Sequence, residues 1–127
     1  MKKTLISSIL LLFPLIAFFC GSAENVLTKK DQGETILLPV NAGFSVELDA
    51  NPSTGYDWGI IEIDGFIIEF RDRTFTAIDS NPGSGGTDHF NFSTLKKGSS
   101  QLKLGYYRAF EGMSSMIDSF EVDVVVR

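Results

Sequence analysis

Apolar and polar residues alternate with a period of two through most of the chain beyond residue 24, the spacing that sends successive side chains to opposite faces of a strand. Phe44, Val46 and Leu48 alternate with Ser45, Glu47 and Asp49. Phe90 and Phe92 alternate with His89 and Asn91, and Leu102, Leu104 and Tyr106 with Gln101 and Lys103. The last run sets Phe120, Val122, Val124 and Val126 against Glu121 and Asp123. Weaker runs over 26–30, 35–40, 56–63, 66–70 and 73–78 read as further extended pieces, with Pro39 marking an edge or a bend. Asp64-Gly65 reads as a hairpin turn, and Lys96-Lys97-Gly98-Ser99 as a tight polar turn. No stretch after residue 24 carries helical periodicity. Short strands recurring at this interval, each with one apolar face, predict an all-β, two-sheet antiparallel β-sandwich of about seven or eight strands.

The first residues follow a different pattern. Met1-Lys2-Lys3 is a basic head, residues 5–19 are almost wholly apolar, and Gly21, Ser22 and Ala23 are small. This is the layout of a secretory signal peptide, with cleavage expected after Ala23 and a single domain over 24–127. The apolar run is short for a membrane span, which needs about 20 residues. A lipoprotein reading is disfavoured by the large Phe19 before Cys20. Cleavage would remove Cys20, the one cysteine, leaving no thiol for catalysis, metal ligation or a disulfide. The domain must then be held by its core, to which the phenylalanines beyond residue 23, eight of the chain's eleven, bring large side chains. Loss of Lys2 and Lys3 makes the formal charge of −5 more negative still. An acidic surface argues against nucleic acid and anionic membrane as partners.

Three loops interrupt the alternation. The first is Asn51-Pro52-Ser53-Thr54-Gly55-Tyr56. Pro52 fixes its own φ and pushes Asn51 towards an extended conformation, and Gly55 permits positive φ. Trp58 follows in phase with Tyr56 and is assigned to the core, while Tyr56 can either pack under the loop or touch a partner. The second loop is Ser80-Asn81-Pro82-Gly83-Ser84-Gly85-Gly86, and the third runs from Arg108 to about Ser115. In an antiparallel sandwich all three can emerge at one end, where a rigid scaffold holds them as a binding surface.

Catalytic and metal readings find little support. His89 has Ser84 and Asp88 nearby in sequence, but no nucleophile elbow or oxyanion hole is marked. No His/Asp/Glu cluster has metal-ligand spacing. The glycine-rich loop lacks the Lys-Ser/Thr and helix of a phosphate cradle. Asn91-Phe92-Ser93 is a glycosylation sequon, and the one at Asn51 is void because Pro52 follows.

Taken in order, the loops become recognisable. Asn51-Pro52-Ser53-Thr54-Gly55-Tyr56 with Trp58 resembles the Asn-Pro-Thr-Thr-Gly-aromatic-x-Trp motif of the chagasin family, protein inhibitors of papain-like cysteine peptidases. Gly83-Ser84-Gly85-Gly86 resembles its Gly-x-Gly-Gly loop, and Arg108-Ala109-Phe110 its Arg-Pro-Trp/Phe motif. The resemblance implies an immunoglobulin-like sandwich whose three loops plug a peptidase cleft reversibly and non-covalently. The 51–56 loop would enter the cleft centre with Thr54 nearest the catalytic pair. Gly83, Ser84, Gly85 and Gly86 would lie along one wall, and Arg108 and Phe110 along the other. Ser53 for Thr costs one methyl; Ala109 for Pro is expected to loosen the third loop. The expected partner is a cathepsin-L-like or similar peptidase, met by a monomer without cofactor, in the secretory pathway, secreted or in a vesicular or lysosomal compartment. The alternative is a secreted immunoglobulin-like adhesion or recognition module that uses the same loops for a non-peptidase ligand.

Overall fold

Eight strands stack as two four-stranded sheets in the computed structural model, which describes residues 25–127. The expected signal peptide over 1–23 lies outside the described residues. One sheet contains β1 (Asn25–Leu27), β3 (Gly43–Ala50), β6 (Gly86–Thr94) and β5 (Ile68–Ala77), in the order β1-β3-β6-β5. The other contains β2 (Thr35–Leu38), β8 (Asp118–Val126), β7 (Gly98–Tyr107) and β4 (Asp57–Glu62), in the order β2-β8-β7-β4. The period-two runs account for the core. Val46, Leu48, Phe90 and Phe92 of one sheet and Leu102, Leu104, Phe120, Val122 and Val124 of the other are all buried and face inward. Phe44 stacks on Phe92 with ring centroids 5.1 Å apart.

The all-β sandwich expected from the alternation is present, with differences in how the strands connect. Each sheet is mixed: β1 runs parallel to β3 and β2 parallel to β8, while the remaining pairs are antiparallel. Asp64-Gly65 is not a hairpin turn. β4 and β5 lie in different sheets, so residues 63–67 cross between them. Asp64 makes this turn by itself: its carboxylate accepts from Phe66 N–H at 3.0 Å, and its carbonyl from the Ile67 and Ile68 N–H groups. Residues 95–97 make the return crossing between β6 and β7. The expected separate pieces over 66–70 and 73–78 are one strand, β5, with a bulge between Phe70 and Asp72. The true hairpins are β5–β6 and β7–β8, and these carry the second and third loops.

Two side chains tie the sheets together near the loop end. Trp58, buried on the inner face of β4, donates its indole N–H to the Asp49 carbonyl of β3 at 2.9 Å. Arg73 of β5 closes the seam between the edge strands β5 and β4. Its fork reaches Asp88 of β6 at 3.1 and 2.7 Å, and it donates to the Asp57 carboxylate and, at 3.2 Å, to the Trp58 carbonyl. Its guanidinium also lies 4.8 Å over the Phe90 ring. Burial alone would lower the Arg73 pKa, but hydrogen bonds and charge from Asp57 and Asp88 outweigh that and hold it above its ordinary value. Asp88 is fully buried and Arg73 is its charged partner, so the pair is one unit rather than two surface charges.

Candidate functional site

The first loop is a one-turn 3-10 helix whose sequence specifies each part. Asn51 is extended (φ −135°, ψ 91°) and caps the turn Pro52–Thr54, its side-chain oxygen accepting from Ser53 N–H at 3.2 Å. Pro52 occupies the first helical position, where its missing N–H costs nothing. Gly55 ends the turn in the left-handed region (φ 82°), with its N–H on the Pro52 carbonyl. A side chain there would carry backbone strain and press on the Phe110 ring, whose nearest atom would lie 3.4 Å from an added Cβ. Thr54 donates its hydroxyl to the Asn51 carbonyl at 2.7 Å, and the Ser53 hydroxyl bonds the Asn51 side chain. Both hydroxyls therefore brace the turn, while Pro52, Ser53, Thr54 and Gly55 remain exposed.

Asn51 is the hub between loops. Its amide nitrogen donates to the Gly83 carbonyl of the second loop at 3.1 Å, and its backbone N–H to the Tyr106 hydroxyl of β7 at 2.9 Å. In the second loop, Asp79 accepts from Ser84 Oγ at 2.5 Å and Asn81 N–H at 2.8 Å. These bonds, Ser84 first, hold the exposed Asp79 carboxyl below its ordinary value. Gly83 turns the loop at φ 82°. Gly86 is buried within β6, where an added Cβ would stand 2.2 Å from the Thr76 carbonyl oxygen. It supports the base of the loop and offers little surface.

The third loop folds back onto the first. Arg108 donates from Nε to the Thr54 carbonyl at 3.3 Å and lays its guanidinium 4.4 Å over the Tyr56 ring. Tyr56 packs in turn, its ring tilted, against Tyr106 at 5.6 Å, and Tyr106 stacks on Trp58 at 5.0 Å. A column thus runs from the half-buried Arg108 down into the core, so Tyr56 packs beneath the loop. Phe110 leans on Gly55 yet stays 77% exposed.

All the sequence-predicted positions therefore meet at one end of the sandwich: Asn51, Pro52, Ser53, Thr54, Gly55 and Tyr56, then Gly83, Ser84, Gly85 and Gly86, then Arg108 and Phe110. They divide by role. Asn51, Tyr56, Gly86 and Arg108 are committed to internal contacts; Thr54, Gly55, Gly83 and Phe110 present surface. Sequence reasoning missed exposed Ile78 and Met113, which flank the same end. The signal available was an apolar side chain beside a loop glycine: Ile78 precedes the glycine-rich second loop, and Met113 follows Gly112 in the third.

The candidate catalytic residues are separated by their bonding. Ser84 is held by Asp79, whereas His89 bonds Glu47 at 3.2 Å and Thr76 at 3.3 Å on the outer face of its sheet. Among the described residues no group of three His, Cys, Asp or Glu is placed to hold a metal. Asn91, in a central strand, is half-buried and bonds Asp72.

Comparison with known proteins points in one direction. The model of the family described as chagasin family peptidase inhibitor I42 matches residues 38–124. Amoebiasin-2 of Entamoeba histolytica is 30% identical over 128 aligned residues, covering 91% of this chain and 98% of that protein. Chagasin of Trypanosoma cruzi is 29% identical over 101 residues, covering 76% of this chain and 92% of that protein. The crystal structure of a cysteine protease inhibitor from Entamoeba histolytica superposes with a TM-score of 0.72 at 29% identity, covering 81% of this chain and 95% of that one.

Proposed function

The chain belongs to the chagasin family of peptidase inhibitors, and on that premise we propose that it inhibits papain-like cysteine peptidases by reversible, non-covalent occlusion of the cleft. The observation that carries this reading is the bonding of the three loops to one another at one end of the sandwich: Asn51 Nδ2 to the Gly83 carbonyl, and Arg108 Nε to the Thr54 carbonyl. Loops fixed before the encounter lose little conformational freedom on binding, so more of the contact energy appears as affinity.

The shape of the first loop explains how it can block a thiolate without being cut. Nucleophilic attack requires a carbonyl held in a narrow geometry against the nucleophile. Substrates reach that geometry as extended chains. Residues 52–55 are a helical turn closed by a left-handed glycine; the Pro52 carbonyl and the Ser53 and Thr54 hydroxyls are tied into the turn, and the Thr54 carbonyl is held by Arg108. Straightening it would break the Asn51 bond to the second loop and the bond from Arg108 of the third loop to the Thr54 carbonyl. Thr54 and Gly55 therefore form a blunt tip over the catalytic pair. Gly83 and Ser84 lie along one wall, and Phe110 anchors on the other as an exposed aromatic of the kind that dominates interface energetics.

The protein enters the secretory pathway, with residues 1–23 as a cleaved signal peptide, and meets its peptidase outside the cell or in a vesicular compartment. The basic head, apolar run and small-residue exit support this route. Titrating papain and a cathepsin-L-like peptidase with the purified protein tests the whole reading. Activity should fall to near zero at stoichiometric inhibitor and return on dilution; full activity at large molar excess would overturn it.

A further inference from the structure

We propose that Ser115 is a positioning residue for inhibition: its hydroxyl closes the third loop and so replaces the stiffness that Ala109 does not supply. This rests on the inhibitory reading above. The loop leaves β7 at Tyr107 and returns to β8 at Asp118. Its first half is a turn in which Glu111 N–H donates to the Arg108 carbonyl at 3.0 Å, which puts Ala109 at the second position of the turn. That is where proline is favoured, because its ring presets the φ the turn requires. Alanine leaves φ free, so the turn alone holds Arg108 and Phe110 loosely.

Ser115 supplies a second closure from the far side. Its Oγ accepts from Arg108 N–H at 2.9 Å, and its hydroxyl proton is directed to the Gly112 carbonyl at 2.6 Å. The 3-10 turn Met113–Ser115 brings the hydroxyl there, with Ser115 N–H on the Gly112 carbonyl at 3.1 Å and Met116 N–H on the Met113 carbonyl at 3.1 Å. Ile117 N–H then returns to the Tyr106 carbonyl at 2.9 Å and rejoins the ladder. The hydroxyl therefore spans both halves of the loop, and one end of the span is the Arg108 backbone. Arg108 is also the residue that caps Tyr56 and holds the Thr54 carbonyl. Ser115 thus acts on the first loop through Arg108. It is half-buried beneath a loop whose exposed tip is Phe110 and Met113, so it orders the contact surface from behind.

The test compares the parent with Ser115→Ala, Ser115→Thr, Ala109→Pro and the double variant Ser115→Ala/Ala109→Pro, all as full chains, with papain as the probe. Loss of one ordering hydrogen bond in Ser115→Ala should raise the dissociation rate about five- to tenfold. Ser115→Thr keeps the hydroxyl and should stay within about twofold of the parent, inside the spread of surface substitutions. The proline should restore most of the loss in the double variant while changing the parent little, because it supplies the same order by another route. Ser115→Ala inhibiting as well as the parent overturns the proposal. So does a loss that the proline fails to rescue, since the hydroxyl would then be touching the peptidase itself. The Arg108 amide of the free protein gives an independent reading by hydrogen exchange: it should be protected in the parent and the Thr variant and exposed in Ser115→Ala. Equal protection in parent and Ser115→Ala sinks the proposal even if papain is not inhibited at all, the outcome that would sink the inhibitory reading alone.

Discussion

Replacing Arg73 by methionine should unfold this protein far more readily than removing any other surface-reaching charge. Asp88 lies in β6 with its side chain 1% exposed, and two of the guanidinium N–H groups of Arg73 reach its carboxylate. Methionine keeps the aliphatic stem near Phe90 but leaves the carboxylate buried without a countercharge. Breaking a buried pair from one side costs about 3–5 kcal/mol. A domain of this size is stable by about 5–15 kcal/mol, so the variant stands to lose about a fifth of its margin or more. Asp57, the other acidic partner, is 54% exposed, and Asp57→Asn should cost under about 1 kcal/mol. The double variant Arg73→Met/Asp88→Leu removes both charges together and should recover most of the loss, since apolar replacement of a buried pair is often neutral. Urea unfolding of the parent, Arg73→Met, Asp88→Leu and the double variant, extrapolated to water, gives the coupling between positions 73 and 88 directly. A loss below about 1 kcal/mol in Arg73→Met, or a double variant no more stable than the single one, would show that the seam is not held by this pair.

Gly86→Ala should destabilise by about 2 kcal/mol or more in urea, because the added methyl would meet the Thr76 carbonyl and the edge strand must give way; wild-type stability would refute the close packing. Thr54→Tyr should raise the inhibition constant for papain at least about tenfold while thermal unfolding shifts little, since position 54 is an exposed tip; a large shift in unfolding with inhibition retained would mean the residue serves the fold. Asp79 should titrate below the ordinary carboxylate range when followed by NMR, because Ser84 and the Asn81 N–H favour its charged form. A folded-state value depressed in this way means that its contribution to loop order is intact from neutral pH through mildly acidic vesicles, and fades only as pH falls through that lowered value. A midpoint at or above the usual range, or an Asp79→Asn variant whose second loop is as ordered as the parent's, would contradict it.

The parts of the fold that were legible in the sequence are those written in local periodicity. Val46, Leu48, Phe90, Phe92, Leu102, Leu104 and the valines of β8 announce their inward faces residue by residue, and the core is built from them. The first loop was also readable, because Asn51, Pro52 and Gly55 each impose a backbone preference that the turn adopts. Which strands pair is not local information. Asp64-Gly65 has the chemistry of a tight turn whether the chain then pairs with the strand it left or crosses to the facing sheet. The two parallel edge pairs set short or weakly patterned strands beside partners far along the chain. Arg73, Asp88 and Ser115 stayed unread for the same reason. Asp88 sits at an inward position of an alternating strand, where a carboxylate would look like a break in the pattern. Its meaning comes only from an arginine on the neighbouring strand. The division of the motif residues into those that brace and those that show a surface likewise needed coordinates, since Asn51 and Arg108 are as polar as any contact residue.

The three loops are tethered differently, and this sets how each can change. The second and third are hairpin tips, anchored within a single sheet, so residues inserted there lengthen a finger and leave the layers beneath undisturbed. The first loop leaves one sheet at Ala50 and enters the other at Asp57, so its span is gauged by the gap between the layers. Retargeting this scaffold to a cleft of another width is therefore a matter of rewriting the two fingers, while residues 51–56 remain the fixed keystone from which both are aimed.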